Sequence, residues 1–145
     1  MEAATFFSPE VRKKIENTIR LAEEKTSGEI RLHIEDVCEI DPVDRAIEIF
    51  EDLNMHQTAL RNGVLFYVAF ASRKFAVIGD IGIHVKVGEK YWQKILTEVN
   101  NELKSGNITD GLCAGILHVG EQLRDYFPLQ ADDKNELSNE ITFGQ

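Results

Sequence analysis

The 145-residue chain contains only two cysteines, Cys38 and Cys113, which lie far apart and do not form a C-x-x-C spacing. This scarcity argues against a disulfide framework and against a thiolate zinc site. Cys113 falls in an apolar helical run and is expected to be buried, whereas Cys38 is expected to be exposed. Long apolar runs are also absent: the longest, residues 64–71, is too short to span a bilayer as a helix.

Basic residues are the minority, with 16 Lys and Arg against 25 Asp and Glu and a formal net charge of −9 at pH 7. A nucleic-acid backbone is bound by a basic face, so nucleic acid is not an expected partner. Acidic side chains are compatible with cation binding, and they equally serve solubility. No basic and apolar leader opens the chain, which predicts a cytoplasmic protein without a membrane span.

Several common functional motifs are missing. The sequence has no Walker A loop, no G-x-G-x-x-G after a strand, no H-E-x-x-H and no G-x-S-x-G. No EF-hand loop fits either, because the acidic stretch at 41–44 lacks the loop glycine and the closing glutamate. What remains for function is a set of polar residues at the ends of predicted strands.

Periodicity and capping residues predict the order helix, strand, helix, strand, strand, helix, helix. Ser8-Pro9 and Asp41-Pro42 are typical helix starts, and Asn54 is a typical left-handed stop. Residues 29–35 alternate between apolar and polar, as in a strand with one polar face. Two further long helices are predicted at about 88–104 and 109–127.

Residues 64–71 are apolar at nearly every position, which predicts a central strand covered on both faces. Residues 74–78 are expected to return as an antiparallel strand, and 79–82 to form a flexible turn. A right-handed parallel crossover then gives an α/β fold, with a small mixed β-sheet between layers of helices. One domain, residues 1–128, precedes an acidic tail, 129–145, expected to be loosely docked or disordered.

Asp80 is the main candidate metal ligand, because it follows a buried strand and is flanked by glycines. Ligand sites in open α/β sheets collect at strand ends. A hard cation such as Ca²⁺ binds carboxylate and carbonyl oxygens, and Gly79 would let its carbonyl approach one. Glu29 is expected to supply a second carboxylate, and Asp110 a third if its helix start faces the Asp80 turn. The alternative is local: Asp80 and Asp110 cap their own elements, and Glu29 is a surface group.

Two further residues are candidates for catalysis. Arg61 precedes the central strand, where it could hold an anionic substrate or form an ion pair with Asp80 or Glu29. His84 follows the predicted turn and is a candidate general acid or base, or a ligand. The alternative for His84 is a structural hydrogen bond.

Four ordered segments carry a resemblance to a known family: Thr26–Arg31, Met55–Leu65, Phe75–His84 and Asp110–Ile116. Over about residues 8–128 the chain resembles the TPM domain, which is shared by a thylakoid lumen protein, a photosystem II repair factor and a nematode membrane protein. The resemblance implies a compact sheet between helices, divalent cations and acid phosphatase activity. Many members carry Asp-Asn-Gly before the central strand, where this chain has Arg61-Asn62-Gly63 and so lacks that carboxylate.

Three functions follow as hypotheses. The first is binding of Ca²⁺ or Mg²⁺ by Asp80, Glu29, Asp110 and the Gly79 carbonyl. The second is a metal-assisted acid phosphatase acting on a phosphorylated substrate, in which Arg61 holds the phosphate and His84 assists. The third is a non-catalytic module that binds a protein partner.

Overall fold

The structure is a computed structural model and describes residues 2–129 and 139–144. Its described residues form six helices and four strands. In chain order these are α1 Ala3–Phe6, α2 Pro9–Glu23, β1 Glu29–Glu35, α3 Pro42–Asp52, β2 Gly63–Ala69, β3 Lys74–Gly79, α4 Ile81–Val87, α5 Glu89–Lys104, α6 Ile108–Tyr126 and β4 Thr142–Phe143. None of the described helices is both long enough and apolar enough to cross a membrane.

The four strands form one mixed sheet in the order β3-β2-β1-β4. Strand β1 is parallel to β2 and to β4, and β2 is antiparallel to β3. Helix α3 connects the parallel strands β1 and β2, as the predicted crossover requires. The predicted α/β class, a mixed sheet between helices, is confirmed.

The central strand β2 is buried at every position, as its apolar sequence predicts. Its even-numbered residues, such as Phe66, pack with α2, α5 and α6, while its odd-numbered residues, such as Tyr67, pack with α3. Each large apolar side chain buried in this way contributes about 1.5–3 kcal/mol relative to exposure. The two helical layers therefore cover opposite faces of the sheet.

The predicted helix boundaries rest on local hydrogen bonds that the structure contains. Ser8 Oγ accepts the Val11 N–H at 3.4 Å, and Asp41 Oδ1 accepts the Val43 N–H at 2.8 Å. Asn54, directly after the α3 cap, has a φ of 57°. These caps confirm the signals at both ends of α3.

Two local expectations were wrong. Residues 79–82 are not a flexible turn: Asp80 Oδ1 accepts the Ile81 N–H at 2.8 Å and begins α4. Cys38 is buried rather than exposed, and its backbone N–H donates to Ser72 Oγ at 2.9 Å. The expected burial of Cys113 is confirmed.

The end of the chain is part of the sheet. Ile141 is buried in the core, the Phe143 ring lies 4.6 Å from the Arg12 guanidinium carbon, and the Gly144 N–H donates to the Ile34 carbonyl at 2.7 Å. The tail that was expected to be loosely docked or disordered therefore ends in a docked strand. This strand has only two residues, too few for an alternating pattern to be recognised in the sequence. Residues 130–138 of that predicted tail lie outside the described residues.

Candidate functional site

The start of β1, the start of β2 and the end of β3 lie side by side at the same end of the sheet. Glu29 in β1 is aligned with Gly63 in β2, and the Asp80 N–H donates to the Gly63 carbonyl at 2.8 Å. Neighbouring strands lie about 4.8 Å apart, so the backbones of Glu29 and Asp80 are about 10 Å apart. A cation shared by Glu29 and Asp80 would therefore need both side chains to extend toward each other across β2.

The carboxylate of Asp80 forms an ion pair with an arginine. Arg61 Nε lies 2.6 Å from Asp80 Oδ2, and Arg61 Nη2 lies 2.8 Å from Oδ1. Asp80 is buried while the Arg61 side chain is about half exposed (48%), and these hydrogen bonds raise the pKa of Arg61 above its usual value. The ion pair weighed as an alternative for Arg61 is the one that forms. A cation at Asp80 would have to displace a bidentate guanidinium.

His84 lies next to a tryptophan. Trp92 Nε1 donates to His84 Nδ1 at 3.0 Å. Because Nδ1 accepts this bond, neutral His84 carries its proton on Nε2. The hydrogen-bonded role is therefore present, and a role in proton transfer stays a prediction.

Asp110 lies at the other end of the domain. Its carboxylate pairs with Lys14 at 3.2 Å, and both side chains are exposed. The bridge between Thr26 and Pro128 places the end of α6 beside the start of β1, so the start of α6 is about 25 Å away along the helix axis. The structure does not bring Asp110 to the Asp80 turn, which was the condition for its role as a ligand.

A pair of glutamates, the Glu23–Glu29 pair, occupies the start of β1. Glu29 is almost fully buried, and Glu23 Oε2 accepts the Ile30 N–H at 2.6 Å. Burial raises the pKa of Glu23 to about 9, helped by the charge of Glu29 and by a hydrogen bond between the two carboxyl groups. With its pKa raised in this way, the Glu23 carboxyl keeps a proton at neutral pH.

Asn62 contributes a buried side-chain oxygen, Oδ1, to the same region. Its side chain is almost fully buried, its backbone carbonyl accepts the Glu29 N–H at 3.4 Å, and its Nδ2 donates to Ser27 Oγ at 3.4 Å. Its Oδ1 is buried and accepts no hydrogen bond from the described residues. A buried oxygen without a donor costs about 1–3 kcal/mol, so it calls for a partner such as water or an ion.

The donor set determines which metal it could hold. Over residues 2–129 and 139–144, no three His, Cys, Asp or Glu side chains converge into a complete metal site. Two carboxylates and one amide oxygen suit a hard cation that keeps part of its water shell, as Mg²⁺ and Ca²⁺ do. Glu23 was not among the residues predicted from the sequence, and Asn62 was noted only as part of the polar loop before the central strand and not as a ligand. The short turn between the end of α2 and the start of β1 was the available signal for Glu23.

Another buried polar cluster lies on the α3 side of the sheet. Burial disfavours the charged form of Glu35, but hydrogen bonds from Arg45 (Nε to Oε2, 3.1 Å) and Tyr67 (2.6 Å) outweigh this and lower its pKa. His33 Nδ1 lies 2.7 Å from Thr142 Oγ1, and burial lowers the pKa of His33. All of these side chains have partners, and the contact between His33 and Thr142 joins β4 to β1.

A cleft of about 760 Å³ runs along the outer edge of β3, between α3 and α5; we name it the β3 cleft. Arg61, Asp80, His84 and Gly79 line one end of it. Its apolar walls are Val43, Ile47 and Phe50 from α3, and Trp92 and Leu96 from α5. The predicted catalytic residues thus share a cleft, whereas the Glu23–Glu29 pair is not among its lining residues.

The family model of the TPM domain matches residues 1–122. The chain belongs to the TPM domain family. The family prediction made from the four sequence segments is therefore confirmed, and no curated protein matches the chain.

Two solved structures of similar proteins agree with the fold. The BA42 protein from the psychrophilic bacterium Bizionia argentinensis, solved by NMR, is 42% identical, covers 99% of each chain and superposes with a TM-score of 0.90. The N-terminal domain of a P. gingivalis protein, also solved by NMR, is 17% identical with a TM-score of 0.65, covering 83% of this chain and 78% of that one. The second likeness supports the TPM-type fold alone.

Proposed function

We propose that the Glu23–Glu29 pair binds a hard divalent cation, Ca²⁺ or Mg²⁺, with the Asn62 side-chain oxygen as a further ligand. The observation that supports this most is geometric: two carboxyl groups in hydrogen-bond contact, one of them almost fully buried, lie beside a buried amide oxygen that accepts no hydrogen bond from the described residues. Two carboxylates that cannot both ionise in a buried site can do so when a divalent cation replaces the proton on Glu23. The cation would also give Asn62 Oδ1 the partner that the described residues do not provide.

This proposal keeps Glu29 from the sequence hypothesis and changes its partners. Asp80 and the Gly79 carbonyl lie one strand away from Gly63, and Asp80 is held by Arg61. Glu23 replaces them as the second carboxylate, and water molecules would complete the coordination, as Mg²⁺ in particular favours.

The test is a titration of the metal-free protein with CaCl₂ and then MgCl₂, followed by amide NMR shifts. We expect the shifts to localise to Ser27–Ile30 and to Asn62–Gly63, and to disappear in Glu29→Gln. Asp110→Asn is the matched control, because it removes an exposed carboxylate at the start of α6, about 25 Å along the helix axis from the start of β1. Identical titrations of Glu29→Gln and the wild type at millimolar metal would refute the proposal.

The same titration distinguishes a site at Asp80. If Arg61 released Asp80 to a cation, the shifts would centre on 79–82, and Asp80→Asn would abolish them while Glu29→Gln would not. That result would restore the original hypothesis in place of the Glu23–Glu29 pair.

A metal-assisted phosphatase receives less support from the geometry. Arg61 would have to hold a phosphate, yet two of its N–H donors are bound to Asp80. Hydrolysis of p-nitrophenyl phosphate that survives both Arg61→Ala and Asp80→Asn would belong to a contaminant. Loss of that hydrolysis in both variants, with the fold retained, would support catalysis in the β3 cleft.

The cytoplasmic location of the protein stays a prediction.

A further inference from the structure

The outer edge of β3 presents backbone groups that face away from the sheet. The Asp80 N–H donates to the Gly63 carbonyl, so this pair is hydrogen-bonded. Hydrogen-bonded and non-hydrogen-bonded pairs alternate along an antiparallel ladder. Ile78 and Ala76 therefore direct their N–H and C=O groups toward β2, and Gly79 and Val77 direct theirs outward. Among the described strands, none pairs with this edge.

The usual protection of a sheet edge is weak here. Exposed edges are commonly guarded by an inward-pointing lysine, a proline or a covering element. Strand β3 contains no proline, and Lys74 donates to the carbonyls of Cys38 at 2.9 Å and Ile40 at 3.2 Å. The charge of Lys74 is thus held at the start of β3, away from the part of the strand that lines the cleft.

Both helical layers extend past β3 and form walls beside this edge. One wall is α3, with Ile47 about half exposed, and the opposite wall is α5, with Trp92 and Leu96. Successive side chains of a strand point to opposite faces, so a strand added to β3 would place alternate side chains against α3 and α5. The extended stretch that lines the cleft, residues 76–79 of β3 together with Asp80, is about 16 Å long and matches roughly five extended residues.

The charges around the cleft select among possible occupants. Arg61 neutralises Asp80, which leaves Glu51 on the α3 wall and Glu89 on the α5 wall. These carboxylates attract a basic segment and repel an acidic one. A second copy of this chain would bring the same acids and a further charge of −9, so the electrostatics disfavour self-association.

We propose that the β3 cleft binds an extended, apolar segment of a partner protein that carries Lys or Arg, as a further strand of the sheet. Main-chain hydrogen bonds to Val77 and Gly79 would give affinity, and the two apolar walls would select the side chains. This inference goes beyond cation binding and does not depend on it.

The experiment uses a phage-displayed library of random linear peptides selected on the whole chain. Two variants provide the comparison: Ile47→Gln alters the α3 wall, and Leu21→Gln makes the same kind of change on α2. Both side chains are substantially exposed, at 47% and 63%, so both variants should fold. Val77→Pro then removes one outward N–H without removing a bond to β2.

The selected peptides should share an apolar run with Lys or Arg beside it. Ile47→Gln and Val77→Pro should each weaken their binding about tenfold or more, whereas Leu21→Gln should not. Bound peptide should slow hydrogen exchange of the Val77 and Gly79 amides about tenfold or more. The proposal is overturned if no sequence is enriched, if the peptides bind Ile47→Gln as tightly, or if the two amides stay unprotected. A dimer formed through β3 in sedimentation would also overturn it.

Discussion

Arg61 binds both carboxylate oxygens of Asp80, with its Nε 2.6 Å from Oδ2 and its Nη2 2.8 Å from Oδ1. The same two residues also anchor α4: Asp80 accepts the Ile81 N–H, and the Arg61 carbonyl accepts the Gly82 N–H at 2.8 Å. The loop before β2 and the start of α4 are thereby joined. Asp80, which the sequence offers as a metal ligand, thus forms an ion pair with Arg61 in this structure.

The Arg61–Asp80 contact can be tested by a double-mutant cycle. Arg61→Ala should lower the free energy of unfolding, because it leaves the buried carboxylate of Asp80 without its cation. Asp80→Ala should also lower it, with about 1 kcal/mol coming from the lost cap of α4. The double variant should lose less than the sum of the two, as measured by urea unfolding. Strict additivity would show that the pair contributes no coupling energy.

Gly82 should tolerate no side chain. A Cβ at this position would lie 2.1 Å from the Leu60 carbonyl oxygen and 2.5 Å from that of Arg61, and both are backbone atoms that cannot rotate away. Gly82→Ala should therefore cost about 3 kcal/mol or more.

Gly88→Ala is the matched control for this prediction. Gly88 has a φ of 80° and a ψ of 168°, a region almost restricted to glycine, but open space around its Cβ position, so alanine there should cost about 1–3 kcal/mol from backbone strain alone, less than at Gly82. Thermal unfolding of both variants provides the comparison. Equal losses would contradict the role assigned to close backbone packing at Gly82.

Much of the fold could be predicted because its signals are local. Ser8-Pro9 starts a helix with a side-chain cap, and the uniformly apolar residues of β2 predict a strand covered on both faces. Helix α4 was missed because its cap, Asp80, stands between residues typical of a turn. Strand β4 was missed because a two-residue parallel strand depends on tertiary contacts, such as the burial of Ile141, and not on periodicity.

The docked end of the chain should contribute to stability. Ile141→Ala should cost about 2 kcal/mol, the low end for a buried isoleucine, because Ile141 lies near the surface of the core. Thr142→Ala should cost less, since it removes only the hydroxyl beside His33 Nδ1. Urea unfolding checks both values. Unchanged stability in Ile141→Ala would mean that β4 is dispensable to the fold.

The proton on Glu23 predicts a pH dependence of stability. The pKa of Glu23 is raised from 4.5 to about 9 by burial, so the folded protein keeps a proton that the unfolded chain loses above pH 4.5. The wild type should therefore lose stability relative to Glu23→Gln as pH rises from about 5 to about 8, because the amide does not titrate. Unfolding in metal-free buffer at both pH values tests this. A constant difference between the two proteins would show that Glu23 ionises normally.

The candidate site was predictable only in part. Glu29 was found because a carboxylate at a strand start is a familiar position for a ligand. Glu23 was missed because it ends an amphipathic helix, where acids usually face solvent, and only the fold places it against Glu29. The reverse holds for Asp110, which is a good ligand by residue type but lies about 25 Å along α6 from the start of β1.

The most direct measurement of the central claim is the number of protons released when Ca²⁺ binds. A cation that takes the place of the proton on Glu23 must expel it, so calorimetry in buffers of different ionisation enthalpy should report about one proton at neutral pH. Glu23→Gln should release none. If the wild type binds Ca²⁺ with the same enthalpy in every buffer, the cation does not occupy the Glu23–Glu29 pair.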